Sequence, residues 1–347
     1  MVTGYFHRVA QETPTRVWVN NPRGSEVKMA IEAGAVCCTT NPSYCTKVMC
    51  LEADYLNGVI DSVIEATEDN DEVATRVYEV ATQRVLDAFL PIYEQTEGVY
   101  GYVTMQGDPR LDTDPDSIVE EALRFRKLGP NLMAKIPVTQ PGIQALERLV
   151  EENVPICGTE IFSISQAVQM CELYTRAAER SGRHPPFCVT HITGIFDQLF
   201  RETAETESII EVSAEGLSQA GSVIARKQYR ILKERGYPGI MLGGGARGLH
   251  HFTEMVGGDL AVTLNWGTMK ELIDKDGPVL SRIDLETPQS VVTELRDKLP
   301  NFRRAYDEGA LSPEEYKDFG PVVLFRTMFL NGYARLLDAV ADRRLRQ

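Results

Sequence analysis

The stretch NLMAKIPVTQPGIQALERLVEENVPICGT, residues 131–159, places two apolar runs on either side of a segment with helical periodicity. NLMAKIPV (131–138) and VPICGT (154–159) are short and almost continuously apolar, as strands buried on both faces are. Between them, PGIQALERLVEEN (141–153) spaces its apolar residues like one face of an amphipathic helix. The stretch therefore predicts a strand, a helix and a second strand in one unit.

The same alternation runs along most of the chain. Six further runs are predicted to be strands: VWVN (17–20), AVCCTT (35–40), VYGYVTMQ (99–106), PFCVTHI (186–192), PGIMLGG (238–244) and DLAVTLNW (259–266). Eight strands that alternate with helices favour a closed (β/α)8 TIM barrel over an open doubly wound sheet. No GxGxxG motif follows the first strand, which argues against a dinucleotide-binding sheet.

Two segments exceed a minimal barrel. Residues 43–98, between the second and third strands, predict two long helices, and the tail from about 276 to 347 predicts more. Because the tail carries periodic apolar residues and aromatics, we expect it to dock on the barrel. The sequence thus predicts a single domain over 1–347, with the barrel at about 14–275 and a helical C-terminal extension at about 276–347.

The composition limits the classes of partner. Of the 347 residues, 43% are hydrophobic and 25% are charged, the formal net charge is -14 and the pI is about 5.0. An acidic surface argues against nucleic acid or an anionic membrane as the main partner, although a pocket can be locally basic. Neither a signal peptide nor a membrane span is predicted. We therefore expect a cytoplasmic protein.

The cysteines and histidines do not predict a metal site. The seven cysteines include no CxxC pair, and their odd number and apolar surroundings indicate free thiols in a reducing cytoplasm. They are Cys37, Cys38, Cys45, Cys50, Cys157, Cys171 and Cys188. His250 and His251 are consecutive, so on a helix they are expected to diverge and not to face the site together. We therefore expect neither a disulfide framework nor a metal ligand set.

Lys135 stands alone as a charged residue in its predicted strand. Period-2 alternation places it on the face of Met133 and Pro137, and both faces of a barrel strand are dry. Burial depresses the pKa of an ammonium group, which would expose a nucleophilic amine near the C-terminal end of the strand, where barrel enzymes have their sites. The alternative is a structural lysine whose amine reaches solvent near the strand end.

Several motifs around Lys135 occur in an order typical of one enzyme family. They are TTNPS (39–43), DPRL (108–111), AKIPVTQPGIQAL (134–146), GTEIFSISQA (158–167) and PF (186–187). Over roughly residues 17–270 the chain resembles the transaldolase family, including its fructose-6-phosphate aldolase-like branch.

The resemblance implies a Schiff-base reaction without a metal or an organic cofactor. Lys135 would add to C2 of a ketose and lose water to form an iminium ion, which allows the C3–C4 bond to break. The C3 ketol (dihydroxyacetone-type) unit would then pass to an aldehyde, or be released by hydrolysis. Such an enzyme serves carbohydrate metabolism, for example in the pentose phosphate pathway.

The resemblance also assigns roles to four further residues. Asn41 would bind a substrate hydroxyl, although an Asx turn explains this asparagine as well. Thr159 would help to hold the water of the reaction, and Phe187 would lie near the Schiff base. Arg247 would bind a phosphate together with the backbone N–H groups of GGGARGLHH (243–251), for which the alternative is a tight turn without a ligand.

Three positions depart from the family. Asn20 stands where the family has an Asp that handles the proton of the C4 hydroxyl, and an amide cannot accept that proton. Gln106 stands where transaldolases have a Glu, and where the aldolase branch has a Gln that positions a water. His191 falls near the expected phosphate-binding Arg, so anion affinity would depend on pH. Glu160 is a candidate replacement acid or base, although alternation would turn its side chain away from Thr159.

The sequence leaves the reaction open. Phe187 favours transfer, whereas Gln106 favours aldolase behaviour. Two carboxylates replaced by amides also suggest a barrel that binds a sugar phosphate without turnover. An isomerase or epimerase would need an acid–base pair that cannot be assigned. In each case the partner is a small-molecule sugar or sugar phosphate, and a homo-oligomer is compatible with the sequence.

Overall fold

The eight predicted strands form a closed parallel barrel in the computed structural model, which describes residues 4–207 and 212–346. They are β1 (Arg16–Asn20), β2 (Ala35–Thr39), β3 (Val103–Gln106), β4 (Leu132–Pro137), β5 (Ile156–Ile161), β6 (Phe187–Ile192), β7 (Ile240–Gly244) and β8 (Leu260–Leu264). Each strand pairs with the next in the chain, and β8 pairs with β1 to close the barrel. The predicted (β/α)8 fold is confirmed.

The third strand is shorter than predicted. The predicted run began at residue 99, but β3 begins at Val103. Gly101 has a φ of 84°, and a Cβ atom here would lie 2.3 Å from the backbone nitrogen of Tyr93. The chain therefore turns before β3 at a position that only glycine fills without strain.

Helices alternate with the strands along the chain. In the described ranges they are α1 (Tyr5–Glu12), α2 (Gly24–Glu32), α3 (Tyr44–Leu51), α4 (Ala53–Ile64), α5 (Asn70–Gln95), α6 (Pro115–Phe125), α7 (Gln140–Glu151), α8 (Ile164–Ser181), α9 (Thr193–Glu207), α10 (Ala214–Glu234), α11 (His250–Thr253), α12 (Trp266–Lys275), α13 (Gln289–Lys298), α14 (Pro300–Tyr306) and α15 (Gly320–Arg344). Short 3-10 helices cover Arg126–Leu128 and Pro313–Asp318. Three helices, not the two predicted, separate β2 from β3. Within residues 4–207 and 212–346, none of the helices has the length and apolar character needed to cross a bilayer.

An apolar layer fills the barrel interior at the N-terminal half of the strands. Its members on seven strands are Trp18, Cys37, Met133, Cys157, Cys188, Leu242 and Ala261. Two positions further along the same strands stand Asn20, Thr39, Lys135, Thr159, Thr190, Gly244 and Thr263. Because side chains two residues apart share a face of a strand, a mostly polar layer lies above the apolar one.

Helix α15 lies across the C-terminal mouth of the barrel. Its Phe325 and Phe329 line the same cavity as Lys135. Thr46 of α3 donates a hydrogen bond from Oγ1 to the carbonyl of Gly332 at 2.6 Å, which fixes the middle of α15 against α3. A helix that follows all eight strands in the chain thus helps to enclose the cavity.

Arg326 links α15 to the segment after β3. Its guanidinium donates hydrogen bonds to both carboxylate oxygens of Asp112, at 2.8 to 3.0 Å, and to the carbonyl of Pro109 at 2.9 Å. The two-pronged geometry is the strong form of an Arg–carboxylate pair. The cover over the barrel is therefore held by a directional contact as well as by apolar packing.

Candidate active site

A cavity of about 210 Å³ opens at the C-terminal ends of the strands. Lys135, Asn20, Asn41 and Arg247, all singled out from the sequence, line it. They come from β4, from the end of β1, and from the segments after β2 and β7. The structure therefore brings these four residues together at the end of the barrel where such enzymes have their sites.

Lys135 lies at the floor of this cavity in a dry environment. Its side chain is buried, its Nζ donates to the carbonyl of Thr40 at 3.4 Å, and the Phe329 ring centroid is 5.8 Å from Nζ. Burial lowers the pKa of the amine, and the nearby Cys157 thiol and Glu160 carboxyl oppose this only in part. A larger fraction of the amine is therefore unprotonated than in water, as a nucleophile requires.

A bulge in β5 turns Glu160 into the barrel. Gly158 pairs with Val189 and Ile161 pairs with His191, so two residues of β5 stand opposite one residue of β6. Glu160 has a φ of 59°, in the left-handed region that favours glycine. The alternation that predicted an outward side chain is broken by the extra residue, so that prediction is wrong.

Glu160 contacts Gln106 across the strand that carries Lys135. Gln106 Nε2 donates a hydrogen bond to Glu160 Oε1 at 2.9 Å. Gln106 lies on β3 in register with Lys135 of β4, and β5 is the next strand. Burial raises the pKa of the Glu160 carboxyl to about 7, and the charge of Asp112 adds to this rise. The chain therefore places a carboxyl that can be protonated at neutral pH beside the buried amine.

Three buried polar atoms near Lys135 have no hydrogen-bond partner among the described residues. They are Oε1 of Gln106, Oγ1 of Thr159 and Oε2 of Glu160. Thr159 pairs with Pro137 of β4, two residues beyond Lys135. Buried polar groups are nearly always paired in proteins, so these atoms mark a place where a substrate or a water can bind.

Each of the two asparagines uses its side-chain oxygen in a hydrogen bond within the protein. Asn20 Oδ1 accepts a hydrogen bond from Thr39 Oγ1 at 3.0 Å. Asn41 Oδ1 accepts one from the Ser43 N–H at 3.0 Å, the Asx turn expected from its sequence context. Both side chains nevertheless line the cavity, so each amide N–H2 can face a ligand.

Phe187 lies far from the site, so its predicted position is wrong. It is the first residue of β6, level with Ile156 at the start of β5. Its ring stacks on Tyr174 of α8 with the centroids 4.2 Å apart. The PF motif therefore belongs to the opposite end of the barrel, and the residue of β6 that lines the cavity at its end is Ile192.

His191 is also displaced from its predicted role. Thr190 and Ile192 line the cavity, so the side chain between them points outward to the helices. His191 is buried, and its Nε2–H donates to the carbonyl of Gly221 on α10 at 3.2 Å. Burial lowers its pKa to about 4. His191 is therefore neutral at physiological pH and does not supply a titrating charge to an anion site.

Arg247 lies at the rim of the cavity, but backbone N–H groups that were predicted to bind an anion already donate hydrogen bonds within the protein. Its Nε donates to Gln198 Oε1 at 2.9 Å. The backbone N–H groups of Arg247 and Gly248 donate to His251 Nδ1, at 3.0 and 3.2 Å, and so do not face an anion. Desolvation and the nearby charge of Arg201 on α9 lower the pKa of Arg247. Arg201, which the sequence did not single out, is thus a second cation in this region.

His250 and His251 converge on one carboxylate, contrary to the expectation that they diverge. Their Nε2 atoms lie 3.1 and 2.7 Å from Oδ2 of Asp197, and the three groups could together hold a metal ion. However, His251 Nδ1 accepts two backbone N–H groups, which places the ring proton on Nε2. This tautomer donates to Asp197, and a metal ion on Nε2 would have to displace that proton.

Helix α15 supplies cavity residues that sequence reasoning missed. Phe325, Met328 and Phe329 line the cavity, although the apolar periodicity of the tail indicated only that it docks. Thr190 and Thr263 were missed as well. Their signal was available, because each lies two residues after an apolar interior residue of its strand.

Comparison with known proteins gives a consistent family match. A family model described as Transaldolase/Fructose-6-phosphate aldolase matches residues 17–311. The transaldolase of Trichodesmium erythraeum (strain IMS101) is 27% identical over 187 residues, which are 52% of this chain and 49% of that protein. The transaldolase of Thiobacillus denitrificans (strain ATCC 25259 / T1) is 31% identical over 158 residues, which are 44% of this chain and 43% of that protein.

A longer alignment joins this chain to a transaldolase of Neisseria meningitidis serogroup C / serotype 2a (strain ATCC 700532 / DSM 15464 / FAM18). The two are 24% identical over 288 residues, 75% of this chain and 81% of that protein. In the two preceding alignments, by contrast, the chain spans only about half the length of its relative.

Proposed function

The chain belongs to the transaldolase/fructose-6-phosphate aldolase family, and from this premise we propose that it cleaves or transfers a C3 ketol unit of a ketose through a Schiff base on Lys135. The observation that carries the proposal is the buried amine of Lys135, with a lowered pKa, at the floor of a cavity lined by amide and hydroxyl groups. A dry cavity favours the uncharged amine, and the polar wall suits a polyhydroxylated substrate.

The proposed chemistry follows from an amine that can attack a carbonyl. Lys135 Nζ adds to C2 of the ketose, and the adduct loses water to give an iminium ion. The C4 hydroxyl gives its proton to a water molecule in the cavity, because the amide of Asn20 cannot accept it. At the same time the electrons of the C3–C4 bond move toward the iminium nitrogen, so the bond breaks and an aldehyde leaves. The enamine that remains attacks an acceptor aldehyde in a transfer, or is protonated and hydrolysed in a cleavage.

We propose that Gln106 and Thr159 hold the water that is lost and regained at C2. Their unpartnered Oε1 and Oγ1 atoms lie on the strands that flank Lys135. Both can accept a hydrogen bond, and neither can be the only proton acceptor. Asn20 and Asn41 would bind substrate hydroxyls through their amide groups on the other side of the cavity.

A phosphate on the substrate would bind at Arg247. This guanidinium lies at the rim of the cavity, and Arg201 lies nearby, as does the opposite charge of Glu202. Arginine suits phosphate because its planar fork matches two oxygens. Since His191 is neutral and faces away, we expect any change of phosphate affinity between pH 6 and 8 to follow the ionisation of the phosphate itself and not that of His191.

A fructose-6-phosphate aldolase-like lyase is the second candidate function. Phe187 no longer supports a transfer reaction, because it lies at the far end of the barrel. The argument for cleavage from Gln106 remains, since Gln106 lies beside Lys135 in register. The two reactions are separated by whether the enamine reaches an added acceptor aldehyde before it is hydrolysed.

Trapping with borohydride tests the proposal. The protein is incubated with fructose 6-phosphate, fructose or dihydroxyacetone, reduced, digested and analysed by mass spectrometry. We expect the label on Lys135 and a loss of turnover of at least about 1,000-fold in Lys135→Ala and Lys135→Arg. Lys28→Ala, at an exposed lysine, is the matched control and should keep full activity. EDTA should not inhibit.

Label on a different lysine would contradict the proposal, as would an active Lys135→Ala protein. Absence of label and of turnover with every ketose would favour a barrel that binds sugar phosphates without reaction. With fructose 6-phosphate, a lyase releases free dihydroxyacetone, whereas a transferase needs an acceptor aldehyde for turnover.

Two further proposals concern the chain as a whole. We propose a cytoplasmic location, which is supported by seven free thiols, six of them buried. We also propose that barrel and C-terminal extension form one domain, which is supported by the contacts of α15 with α3 and with the segment after β3.

A further inference from the structure

The hydrogen bond between Gln106 and Glu160 spans the strand that carries the reactive amine. Gln106 belongs to β3 and Glu160 to β5, and β4 with Lys135 lies between them. A side-chain contact between the two outer strands has to cross the middle strand. The carboxyl of Glu160 is therefore held over β4 at the level of the site.

The local structure favours a chemical role for this carboxyl over a structural one. Glu160 is fully buried, and only its Oε1 has a partner among the described residues. A carboxyl retained for packing would have both oxygens bonded. Its left-handed φ is also costly for a residue with a Cβ, and such strain is found mostly where function requires it.

Among the described residues of the eight barrel strands, Glu160 is the one carboxyl, and one of its oxygens has no partner. Asn20 and Gln106 are amides, and amides do not titrate. Asp112, whose charge acts on Glu160, is bound at both oxygens by Arg326. Glu121 also lines a small cavity with Lys135, and burial raises its pKa to about 7, but it lies on α6 outside the sheet and its Oε1 accepts the Asp108 N–H.

We propose that Glu160 is the catalytic acid and base for loss and addition of water at C2 of the Lys135 adduct. This inference rests on the proposed Schiff-base function. The position where transaldolases have a Glu, on the third strand, holds Gln106 here. The chain would then carry the carboxyl on the fifth strand, hydrogen-bonded to the amide on the third.

The proton balance of the step is simple. In the adduct, C2 carries a hydroxyl and the nitrogen of Lys135. Protonated Glu160 gives its proton to that hydroxyl, the C2–O bond breaks, and water leaves. The lone pair of Nζ forms the C=N bond, so a neutral pair becomes an iminium cation and a Glu160 carboxylate. In hydrolysis the carboxylate takes the proton back from the attacking water.

The surroundings of Glu160 allow it both to donate and to accept a proton. The charged and titratable groups that face it are Lys135 on β4, Asp112 after β3 and Arg326 on α15. Burial and Asp112 raise the pKa of the carboxyl, whereas the Gln106 hydrogen bond, Lys135 and Arg326 lower it, with a net value of about 7. Both protonation states are therefore populated near neutral pH, as an acid–base catalyst requires.

The test uses Gln106 and Glu160, because glutamine and glutamate side chains have nearly the same shape. Glu160→Gln removes the proton carrier, and the double variant Gln106→Glu/Glu160→Gln exchanges the two side chains. The rate of iminium formation is measured by quenching with borohydride at increasing times, with fructose 6-phosphate or dihydroxyacetone, and kcat is measured in parallel. Circular dichroism confirms that each variant is folded.

We expect Glu160→Gln to form the iminium about 100-fold more slowly than the wild type, with a similar fall in kcat. The exchanged variant should form the iminium at least about tenfold faster than Glu160→Gln, because a carboxyl is again present in the same hydrogen bond, now on the third strand. The pH dependence of iminium formation that is set by a group near pH 7 should disappear in Glu160→Gln.

An unchanged rate of iminium formation in folded Glu160→Gln overturns this proposal and leaves the Schiff base intact. An exchanged variant that is folded but no faster than Glu160→Gln overturns it as well. Failure to label Lys135 in the wild type would overturn both this inference and the proposed function, so the two failures are distinguishable.

Discussion

Lys135 and Glu160 lie in one dry region of the barrel, and burial moves each pKa toward the neutral form. It lowers the pKa of the amine and raises that of the carboxyl. An uncharged amine beside an uncharged acid is the arrangement needed to attack a carbonyl and then expel its oxygen as water. The same burial that makes these groups reactive also makes their charged forms costly to hold in the fold.

That cost gives a prediction on stability. The pKa of Glu160 rises from 4.5 to about 7 on folding, so the folded state binds the proton more tightly than the unfolded state. The wild type therefore loses stability as pH rises from about 4.5 to about 7, by about 3 kcal/mol in all. Glu160→Gln cannot ionise, so its free energy of unfolding minus that of the wild type should be about 3 kcal/mol larger at pH 8 than at pH 4.

Urea unfolding at pH 4, 6 and 8 measures this difference. Glu65→Gln, at an exposed glutamate, is the control that should show no comparable trend. A difference between Glu160→Gln and wild type that stays constant with pH would mean that Glu160 is not buried as a titrating group.

At the residue scale, the sequence predicted correctly the positions of residues that follow the regular alternation of one strand. Lys135 was found because an amine within a buried strand has few structural explanations. Glu160 was placed on the wrong face because a bulge adds a residue without a clear mark in the sequence. Phe187 and His191 were misplaced because a short motif does not tell which end of a strand, or which face, it occupies.

Among the elements, the turn between β7 and α11 depends on a side chain outside the cavity. His251 accepts the backbone N–H groups of Arg247 and Gly248, and Asp197 on α9 accepts the proton of its other nitrogen. The turn that carries Arg247 is therefore held by helix α9 through His251. Although His251 does not line the cavity, it sets where the guanidinium can reach.

We predict that His251→Ala raises KM for fructose 6-phosphate by about tenfold and changes kcat/KM for dihydroxyacetone by less than about twofold. Two backbone donors lose their acceptor, so the turn and its Arg247 are no longer fixed. His250→Ala is the matched control, because His250 also contacts Asp197 but accepts nothing from the turn. Equal losses for both substrates would contradict a role in phosphate binding.

The strands were predictable because eight short apolar runs have few alternatives, and their ends agree within a few residues. The start of β3 was missed because the chain turns at Gly101 through a close approach to Tyr93, a tertiary contact that no local pattern contains. The third helix between β2 and β3 was missed for a similar reason, since α3 and α4 are separated only by Glu52.

At the scale of the whole molecule, one ion pair joins the C-terminal extension to the barrel. The Asp112 side chain keeps 9% of its surface exposed and that of Arg326 keeps 27%. Burial raises the pKa of Asp112 and Arg326 opposes this, so the carboxylate depends on its partner. The sequence predicted that the tail docks, but it could not predict where, because docking depends on surfaces that the folded barrel creates.

We predict that Arg326→Met lowers the free energy of unfolding by about 2 kcal/mol, because it leaves a largely buried carboxylate without its partner. The estimate is below that for a fully buried pair because Arg326 is partly exposed. Arg326→Met/Asp112→Asn should recover more than half of the loss, since no unpaired charge remains. Chemical denaturation of the wild type, Arg326→Met, Asp112→Asn and the double variant completes the double-mutant cycle. A double variant no more stable than Arg326→Met would contradict the explanation.

The position of α15 has a consequence for the chain while it is being made. Synthesis runs from the N-terminus, so all eight strands, including β4 with Lys135, leave the ribosome before α15. Phe325 and Phe329 line the cavity above Lys135, so we expect the amine to be more hydrated, and more often protonated, before α15 has docked. A protonated amine is not a nucleophile, so we expect a barrel without α15 to condense more slowly with the carbonyl groups of metabolites. The helix that completes the site thereby also sets the moment at which it becomes reactive.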